Sequence, residues 1–415
     1  MTGLPHGWEV TPLTEIARLG SGGTPQAKTP AYYGGHIPWA VIGDLNDGVV
    51  TRTQRRITPT GLVNSSAKVV PVDTVLLAMY GSIGKLGITG EPMATNQAIA
   101  TIKPTDRIDV RYLFYYLLAQ RRDLDAAGKG ATQRNISQTV LKPWPVRFPT
   151  SLAEQRRIVD LLDDHLSRLD AAQDGLAKTR KRLVSLERSA LDAHFGAAES
   201  TAPLGDLIEN ISAGKSFGAA SAQAQDDQWG IIKVSAMTWG AFKPEENKAV
   251  PPDRVDPRFE IHEGDLLVSR ANTSAYVGAS VLVGPVRPKL LLSDKSLRVV
   301  PKDGVRPEWL LHALQAPSAR RQISALATGT KDSMRNISQA SLLRVLLPAA
   351  DETEQARAIG EFAAIDEASR RLAREVEATD ARLRHLRRVL MAAAFSGSFT
   401  GTGSDLSELQ EMISA

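Results

Sequence analysis

Asp227, Glu246 and Lys248 are the one arrangement in this sequence that could hold Mg²⁺ and a water for phosphodiester cleavage. A stand-alone Mg²⁺-dependent nuclease is therefore one reading. Against it, Glu-x-Lys is a common triplet, the spacing is loose, and no counterpart exists elsewhere in the chain. Gly81-Ser-Ile-Gly84-Lys85-Leu86 departs from the phosphate-binding loop pattern at its first position and its last residue, and reads as a turn between strands. Gly20-Ser-Gly-Gly-Thr24 lacks the Gly-x-Gly-x-x-Gly spacing and precedes no helical pattern. His-Glu-x-x-His is absent, the seven histidines are scattered, and no Asn/Asp-Pro-Pro-aromatic tetrapeptide exists to work on a target adenine. With no cysteine, disulfides, thiolate zinc sites, iron–sulfur clusters and a cysteine nucleophile are all excluded. The expectation is a non-catalytic binding protein that holds no metal or cofactor of its own.

Binding chemistry is better represented. Lys129, Arg134 and Asn135 share the loop GKGATQRNIS, and Lys331, Arg335 and Asn336 share ATGTKDSMRNIS. Arg and Lys can hold phosphates or guanine, and Asn can pair with adenine. The alternative is that Asn-Ile-Ser-Gln caps the short helix that follows, with Arg as a surface charge. Arg52, Arg55, Arg56 and Lys68 form a second basic cluster near Tyr32, Tyr33 and Trp39, with Lys215, Lys233 and Lys248 as looser equivalents. A solvated charged face is the competing reading for these. The net charge of 50 − 46 = +4 permits a nucleic-acid partner without demanding one.

The elements that must position these loops are written twice. Arg134-Asn-Ile-Ser-Gln138 recurs as Arg335-Asn-Ile-Ser-Gln339, offset by 201. Pro12-Leu13 pairs with Pro203-Leu204 (191), Asp73 with Asp265 (192), Ile83-Gly84 with Val277-Gly278 (194), Pro104 with Pro301 (197), and Phe195 with Phe395 (200). Ordered anchors with slow drift indicate a duplicated half-molecule. Residues 1–150 and 201–350 read as mixed α/β heads with short strands punctuated by Gly and Pro. Residues 151–200 and 351–400 read as helical spacers opened by Ser151-Leu-Ala-Glu154 and Asp351-Glu-Thr-Glu354, both capping-box patterns, and 401–415 as a tail. Heptads place Leu162, Leu169, Leu176, Leu183 and Leu186 on the seam of the first helix, with His165 a tolerated member. Phe362, Leu372, Val376, Leu383, Leu386 and Leu390 form the seam of the second. Each helix is about 67 Å long, expected to pack antiparallel on the other as a coiled coil, and free to bend at Gly175. An antiparallel pair would relate the halves by a pseudo-twofold axis, as local twofolds relate half-sites in duplex DNA. A coiled-coil scaffold that binds only protein remains the third reading.

Several short motifs, in order, resemble the specificity subunit of a type I restriction–modification enzyme, over nearly the whole chain. In the first head these are Gly22-Gly23-Thr24-Pro25, Ile37-Pro38-Trp39, Ile42-Gly43-Asp44-Leu45, Met79-Tyr80-Gly81, Ile83-Gly84-Lys85 and Thr95-Asn96-Gln97-Ala98. In the second they are Ile232-Lys233-Val234-Ser235, Ser269-Arg270-Ala271-Asn272-Thr273, Val277-Gly278 and Asp294-Lys295. The helical starts, Leu-Ala-Glu-Gln-Arg-Arg-Ile and Glu-Thr-Glu-Gln-Ala-Arg-Ala-Ile, are similar to the family's signature. The resemblance implies two target-recognition domains reading a bipartite site in double-stranded DNA. It also implies two adenine methyltransferase subunits using S-adenosylmethionine, and restriction/translocase subunits using ATP and Mg²⁺. Arg270 and Asn272 are then the leading base-edge candidates, with Lys85 and Lys295 as further DNA contacts. Tyr80 takes the aligned slot of Asn272, so the heads would read different bases. The start MTGLPHGWEV lacks the pattern of a secretory signal, and no apolar run suits a membrane span, so a cytoplasmic, membrane-free chain is expected.

Overall fold

A computed structural model describes residues 4–130, 134–196, 200–218, 222–238, 240–329 and 334–399. The first head is built on a five-stranded sheet from β1 (Ala17–Ser21), β2 (Gly48–Val50), β3 (Val75–Ala78), β4 (Leu86–Thr89) and β5 (Ile99–Pro104), in the order β1-β5-β3-β4-β2. All pairs are antiparallel except β4 with β2. Every residue of β3 is buried, as its unbroken apolar run requires of a central strand. A second sheet of Arg56–Ile57, Tyr33–Ala40, Met93–Thr95 and Val69–Val70 lies in the same head. Helix α1 (Val110–Ala119) begins where the Asp109 carboxylate accepts from Arg111 N and Tyr112 N, and α2 (Arg121–Ala126) follows it. The 45-residue α3 (Leu152–Gly196) then runs unbroken through Gly175.

The second head repeats the plan with one strand fewer. Its main sheet contains β6 (Ile208–Ala213), β7 (Leu266–Ser269), β9 (Ser280–Leu282) and β10 (Ser296–Pro301), in the antiparallel order β6-β10-β7-β9; β8 (Ala271–Asn272) lies apart from it. Helices α4 (Pro307–Gln315) and α5 (Pro317–Leu326) each start with proline, which suits a first turn lacking N–H partners. The pair β8 and β11 (Arg335–Asn336) precedes the 45-residue α6 (Glu352–Ser396). The capping box at its start is complete: Glu354 N donates to Asp351 Oδ1 (2.8 Å) and Asp351 N to Glu354 Oε2 (3.2 Å). At the start of α3 only the Ser151 half forms, because the Glu154 carboxylate turns to Arg157.

By compactness the chain divides into Met1–Leu176 with Ala378–Ala415, and Ala177–Glu377, so each unit takes half of α3 and half of α6. In the first unit Arg157 bonds the Phe399 carbonyl and Asp170 pairs with Arg387. As one number rises the other falls, so the segments run antiparallel. In the second unit Phe195 stacks on Phe362 with ring centroids 5.5 Å apart, and His194 is 3.6 Å from Glu361. Phe395 meets Tyr112 and Tyr116 edge-on, and its repeat mate Phe195 meets Trp309.

The seam differs from a two-line coiled coil. Leu162, Leu169, Phe362, Val376 and Leu390 are buried, and Leu176, Leu183, Leu383 and Leu386 are partly so. Leu186 and Leu372, however, are 52% and 43% exposed, which corrects their assignment to the seam. Buried apolar residues in the first part of α3 include Ile158, Val159, Leu162, Leu166 and Leu169, a wide stripe that joins the first head's core. The flanks of each helix pack on a head as an ordinary amphipathic face. Of the d positions, Ala172, Leu186, Leu372 and Thr379 are exposed and Thr179 is half-buried.

Candidate nucleic-acid interface

In both heads the described residues that flank the loop after the second short helix pair with each other. Lys129 and Asn135 exchange both backbone hydrogen bonds, at 2.8 and 2.9 Å; Thr328 and Asn336 do the same at 2.8 Å each. Ile136 and Ile337 are buried beneath these pairs, and their amides donate to Met79 O and Arg270 O respectively. The shared Arg-Asn-Ile-Ser-Gln run thus pins a polar surface turn to the end of a core strand. Ser338 caps the next short helix by accepting from Ser341 N (3.0 Å), whereas Ser137 makes no side-chain cap.

The arginines of the run hold the turn. Arg134 donates to Ala126 O (3.2 Å), Gly128 O (3.4 Å) and the Asp125 carboxylate. Arg335 donates to Ala327 O (2.6 Å) and Gly329 O (3.0 Å). Both place a cation over carbonyls at the C-terminal end of the preceding helix, where charge and dipole agree. These donors are therefore engaged by the chain itself, which favours a positioning role over phosphate contact.

Around this frame the second head gathers Arg270, Asn272, Lys295 and Arg335. Asn272 is the cross-strand partner of Arg335, and the Lys295 carbonyl receives Arg270 N (2.8 Å) and Ala271 N (3.3 Å). Asn272 Oδ1 accepts from Thr273 N (2.8 Å). Lys295 Nζ bonds Asp294 (2.9 Å). Arg270 Nε is buried without a hydrogen-bond partner among the described residues. The first head gathers Tyr80, Lys129 and Arg134, with Tyr80 bridging Asn135. Lys85 is turned away, its Nζ on the Ile42 carbonyl (3.3 Å).

The register of the repeat shifts one assignment. Met79 O and Arg270 O accept equivalent bonds, and Tyr80 and Ala271 bridge equivalent asparagines. Tyr80 therefore matches Ala271, and Gly81 matches Asn272, which corrects the sequence alignment by one residue. The positive-φ Asp73 (59°) likewise matches Gly264 (89°) rather than Asp265.

Other candidates lie elsewhere in the fold. Arg52, Arg55 and Arg56 are exposed where β2 leads into the second sheet. There Tyr33 Oη donates to Pro25 O (2.6 Å) and Trp39 Nε1 to Gly23 O (3.0 Å), so these aromatics fix the Gly22–Pro25 loop. A Cβ on Gly22 would strike the Thr95 carbonyl, and one on its counterpart Gly214 the Leu292 carbonyl. Lys215 lies 5.9 Å from the Phe217 ring centroid. Lys331 falls outside the described residues.

The nuclease residues do not converge. Ser235 donates to Glu246 (2.6 Å) and Lys233 stands 3.5 Å away, together holding that carboxylate below its usual range. Lys233 N donates to Glu246 O at one end of the hairpin that pairs Gly230–Ile232 with Asn247–Ala249, whereas Asp227 precedes the other end. Among the described residues no three His, Cys, Asp or Glu side chains cluster as a metal site. Nor is any described helix long and apolar enough to cross a membrane.

Sequence reasoning missed Gln155 and Gln355 as individual residues, although both stand in the helical-start motif. It also missed Asp47 and Arg121, which carry no local motif. Gln155 Nε2 donates to Pro149 O (2.8 Å) and Arg107 O (3.1 Å), and its Oε1 accepts from Asp109 N (2.7 Å). Each buried glutamine ties the start of a long helix to its head.

Residues 5–178 match the type I restriction modification DNA specificity domain. The type I restriction enzyme MjaIX specificity subunit of Methanocaldococcus jannaschii is 30% identical over 164 residues, 38% of this chain and 38% of that one. The EcoEI specificity subunit of Escherichia coli is 32% identical over 34% of this chain and 24% of its own length. The aligned region thus spans well under two thirds of either relative. The EcoKI specificity subunit of Escherichia coli K12 aligns at 22% identity over 96% of this chain and 90% of its own. The crystal structure of the HsdS subunit from Thermoanaerobacter tengcongensis shares the fold, with a TM-score of 0.57 and 18% identity over 95% of this chain and 98% of that one. A chain from a study of complex assembly in a type I R-M system shares it at a TM-score of 0.76, with 17% identity, over 96% of this chain and all of that one. The chain is thus similar to type I restriction–modification specificity subunits, by its DNA specificity domain over residues 5–178 and by its fold over nearly its whole length.

Proposed function

We propose that this chain is the non-catalytic, sequence-reading subunit of a type I restriction–modification complex. Its two heads read two different half-sites of double-stranded DNA, and its helices carry two adenine methyltransferase subunits and, beyond them, restriction/translocase subunits. S-adenosylmethionine, ATP and Mg²⁺ belong to those partners. The carrying observation is one backbone frame bearing different side chains in the two heads: Tyr80 is exposed in the first, whereas Arg270 and Asn272 are half-buried in the second. A shared frame fixes where a groove is met, and differing side chains decide which base edges are satisfied there.

The test is co-expression with the cognate methyltransferase subunit in cells lacking such a system, followed by genome-wide mapping of N6-methyladenine. A motif of two dissimilar halves around an unread gap is expected. An assembled complex that methylates nothing, or a single undivided motif, would overturn the reading. Mg²⁺-dependent cutting by the chain alone, lost in Glu246→Ala, would restore the nuclease.

A further inference from the structure

The duplication supplies its own control. In the first head Arg121 at the start of α2 pairs with Asp47 and donates from Nε to Gly84 O (2.8 Å). Asp47 also exchanges bonds with Leu86, its carboxylate accepting from Leu86 N (3.0 Å) and its own amide donating to Leu86 O (2.9 Å). The strand that follows Asp47, β2, then lies parallel beside β4. One acidic residue thus satisfies the arginine and starts the strand along the sheet edge.

In the second head the matching places are Arg320, Gly278 and Ser280. Gly84 and Gly278 both adopt left-handed φ, +77° and +73°. A Cβ on the first would lie 3.1 Å from Arg121, and on the second 2.9 Å from Arg320. Leu86 and Ser280 stand at equivalent register points of β4 and β9. Among the described residues no carboxylate pairs with Arg320 as Asp47 pairs with Arg121. Arg320 Nη2 reaches Ala275 O (3.3 Å), but Nη1 is buried with no hydrogen-bond partner among the described residues, and so is Oγ of Ser280, a residue only 3% exposed. No strand among the described residues pairs with the outer side of β9. Burial lowers the proton affinity of Arg320.

Both orphaned groups line one cleft of about 710 Å³. Its walls include the apolar side chains of Val184, Met237, Tyr276 and Pro317, and Val184 is 72% exposed. Arg188 and Arg321 join Arg320 in the lining against the single acid Glu187; with Arg321 also 4.0 Å from Asp192, a net positive charge is left in the cleft. A phosphodiester backbone would gain nothing from apolar walls. A polypeptide carrying a carboxylate beside an apolar side chain suits both parts, the carboxylate supplying what Asp47 supplies in the first head.

We propose that this cleft receives an acidic segment of the methyltransferase subunit, its carboxylate seated on Arg320 and Ser280. The identity of that partner rests on the functional reading above. Because the first head fills the equivalent place with its own Asp47, only the copy beside the second head gains the contact.

The test uses the full chain titrated with the cognate methyltransferase subunit in the absence of DNA. Arg320→Gln and Val184→Asp should each weaken one of the two binding events at least tenfold, and Val184→Lys should leave it intact. Should Arg320→Gln fold poorly, Val184→Asp alters an exposed position and decides the matter alone. A photo-crosslinking amino acid at position 184 should mark an Asp- or Glu-containing segment of the methyltransferase. Undiminished binding in Val184→Asp, or cross-links confined to other parts of this chain, would overturn the inference while leaving the functional reading in place. A wild-type chain that captures no methyltransferase subunit would overturn both.

Discussion

Gln155 and Gln355, 200 residues apart, make the same three hydrogen bonds in the two halves. Each amide oxygen accepts from the backbone near the start of a head helix, at Asp109 N (2.7 Å) and Arg306 N (2.8 Å). Each amide nitrogen donates to two carbonyls, Arg107 and Pro149 in one half, Gly304 and Ala350 in the other. Only a side chain with both a donor and an acceptor satisfies all three. Gln155→Leu should therefore destabilise the first half by roughly 1–3 kcal/mol for each orphaned backbone group. Chemical denaturation of the variant against Gln355→Leu checks this; near-neutral substitutions would show that water replaces the amide without loss.

The duplication was legible because most of its anchors are identities at slowly drifting offsets, although the Asp73–Asp265 identity is one residue out of register. The one-residue error at Tyr80 arose where the second head is longer: the offset is 191 at Ala271 and 194 at Gly278, and sequence does not say where in a turn three extra residues go. The misassigned Leu186 and Leu372 have a different cause. A heptad count treats the other helix as the sole partner, whereas here the heads take the helix flanks. The arginines of the repeated motif were visible as charges, but only the fold shows them facing helix-end carbonyls. For Asp227, Glu246 and Lys248, sequence spacing does not reveal that Glu246 lies at one end of a strand pair, where Ser235 and Lys233 hold it, while Asp227 precedes the other end.

Asn272 should read bases in one half-site only, since Gly81 stands at its place in the first head. Asn272→Asp keeps the oxygen that accepts from Thr273 N and removes the amide donor. The variant should fold normally and lose roughly 1–3 kcal/mol of discrimination at one position of one half-site. Methylation mapping reads this directly, and an unchanged motif would remove Asn272 from the reading surface.

Arg335 is expected to act through the turn it fastens. Lysine keeps the charge but cannot span the Ala327 and Gly329 carbonyls as the planar guanidinium does. Arg335→Lys should weaken DNA binding about as much as Arg335→Ala, with the salt dependence of affinity unchanged. If lysine restores binding, and alanine lowers the slope of log affinity against log salt by about one, the arginine holds a phosphate after all.

His312 gives the second unit a pH dependence. Its ring lies 4.7 Å from that of Phe362, and burial lowers its pKa, only partly opposed by Asp366 and Glu308. With a folded-state pKa below the unfolded value of about 6.5, the unfolded chain takes the proton first. Stability is thus lost as pH falls through about 6.5 toward the lower folded-state value. His312→Leu should lack this loss, so the stability difference between variant and wild type should grow in the variant's favour as pH falls from neutral to mildly acidic. A difference independent of pH would show that the ring protonates freely in the fold.

Residues 1–200 should form a homodimer. In the full chain the first head's core is completed by Leu390, Met391, Ala394 and Phe395 of α6, with Phe395 set edge-on against Tyr112 and Tyr116. A fragment ending at 200 leaves that aromatic face and the Leu162–Leu169 stripe bare, and apolar surface of this kind associates. The same fragment carries the replacement, because Leu191 and Phe195 stand at the repeat positions of Met391 and Phe395. One copy's Phe195 can enter the other's Tyr112–Tyr116 site and the reverse, which is the reciprocal exchange a twofold dimer requires. The antiparallel run of the helices then makes the two heads inverted copies. With methyltransferase subunits the dimer should methylate an interrupted palindrome built from the first half-site. Sedimentation of the fragment decides the first point, and methylation mapping the second. Phe195→Ala should return the fragment to a monomer while leaving the first head of the full chain intact. A stable wild-type monomer, or a direct-repeat target, would contradict the exchange.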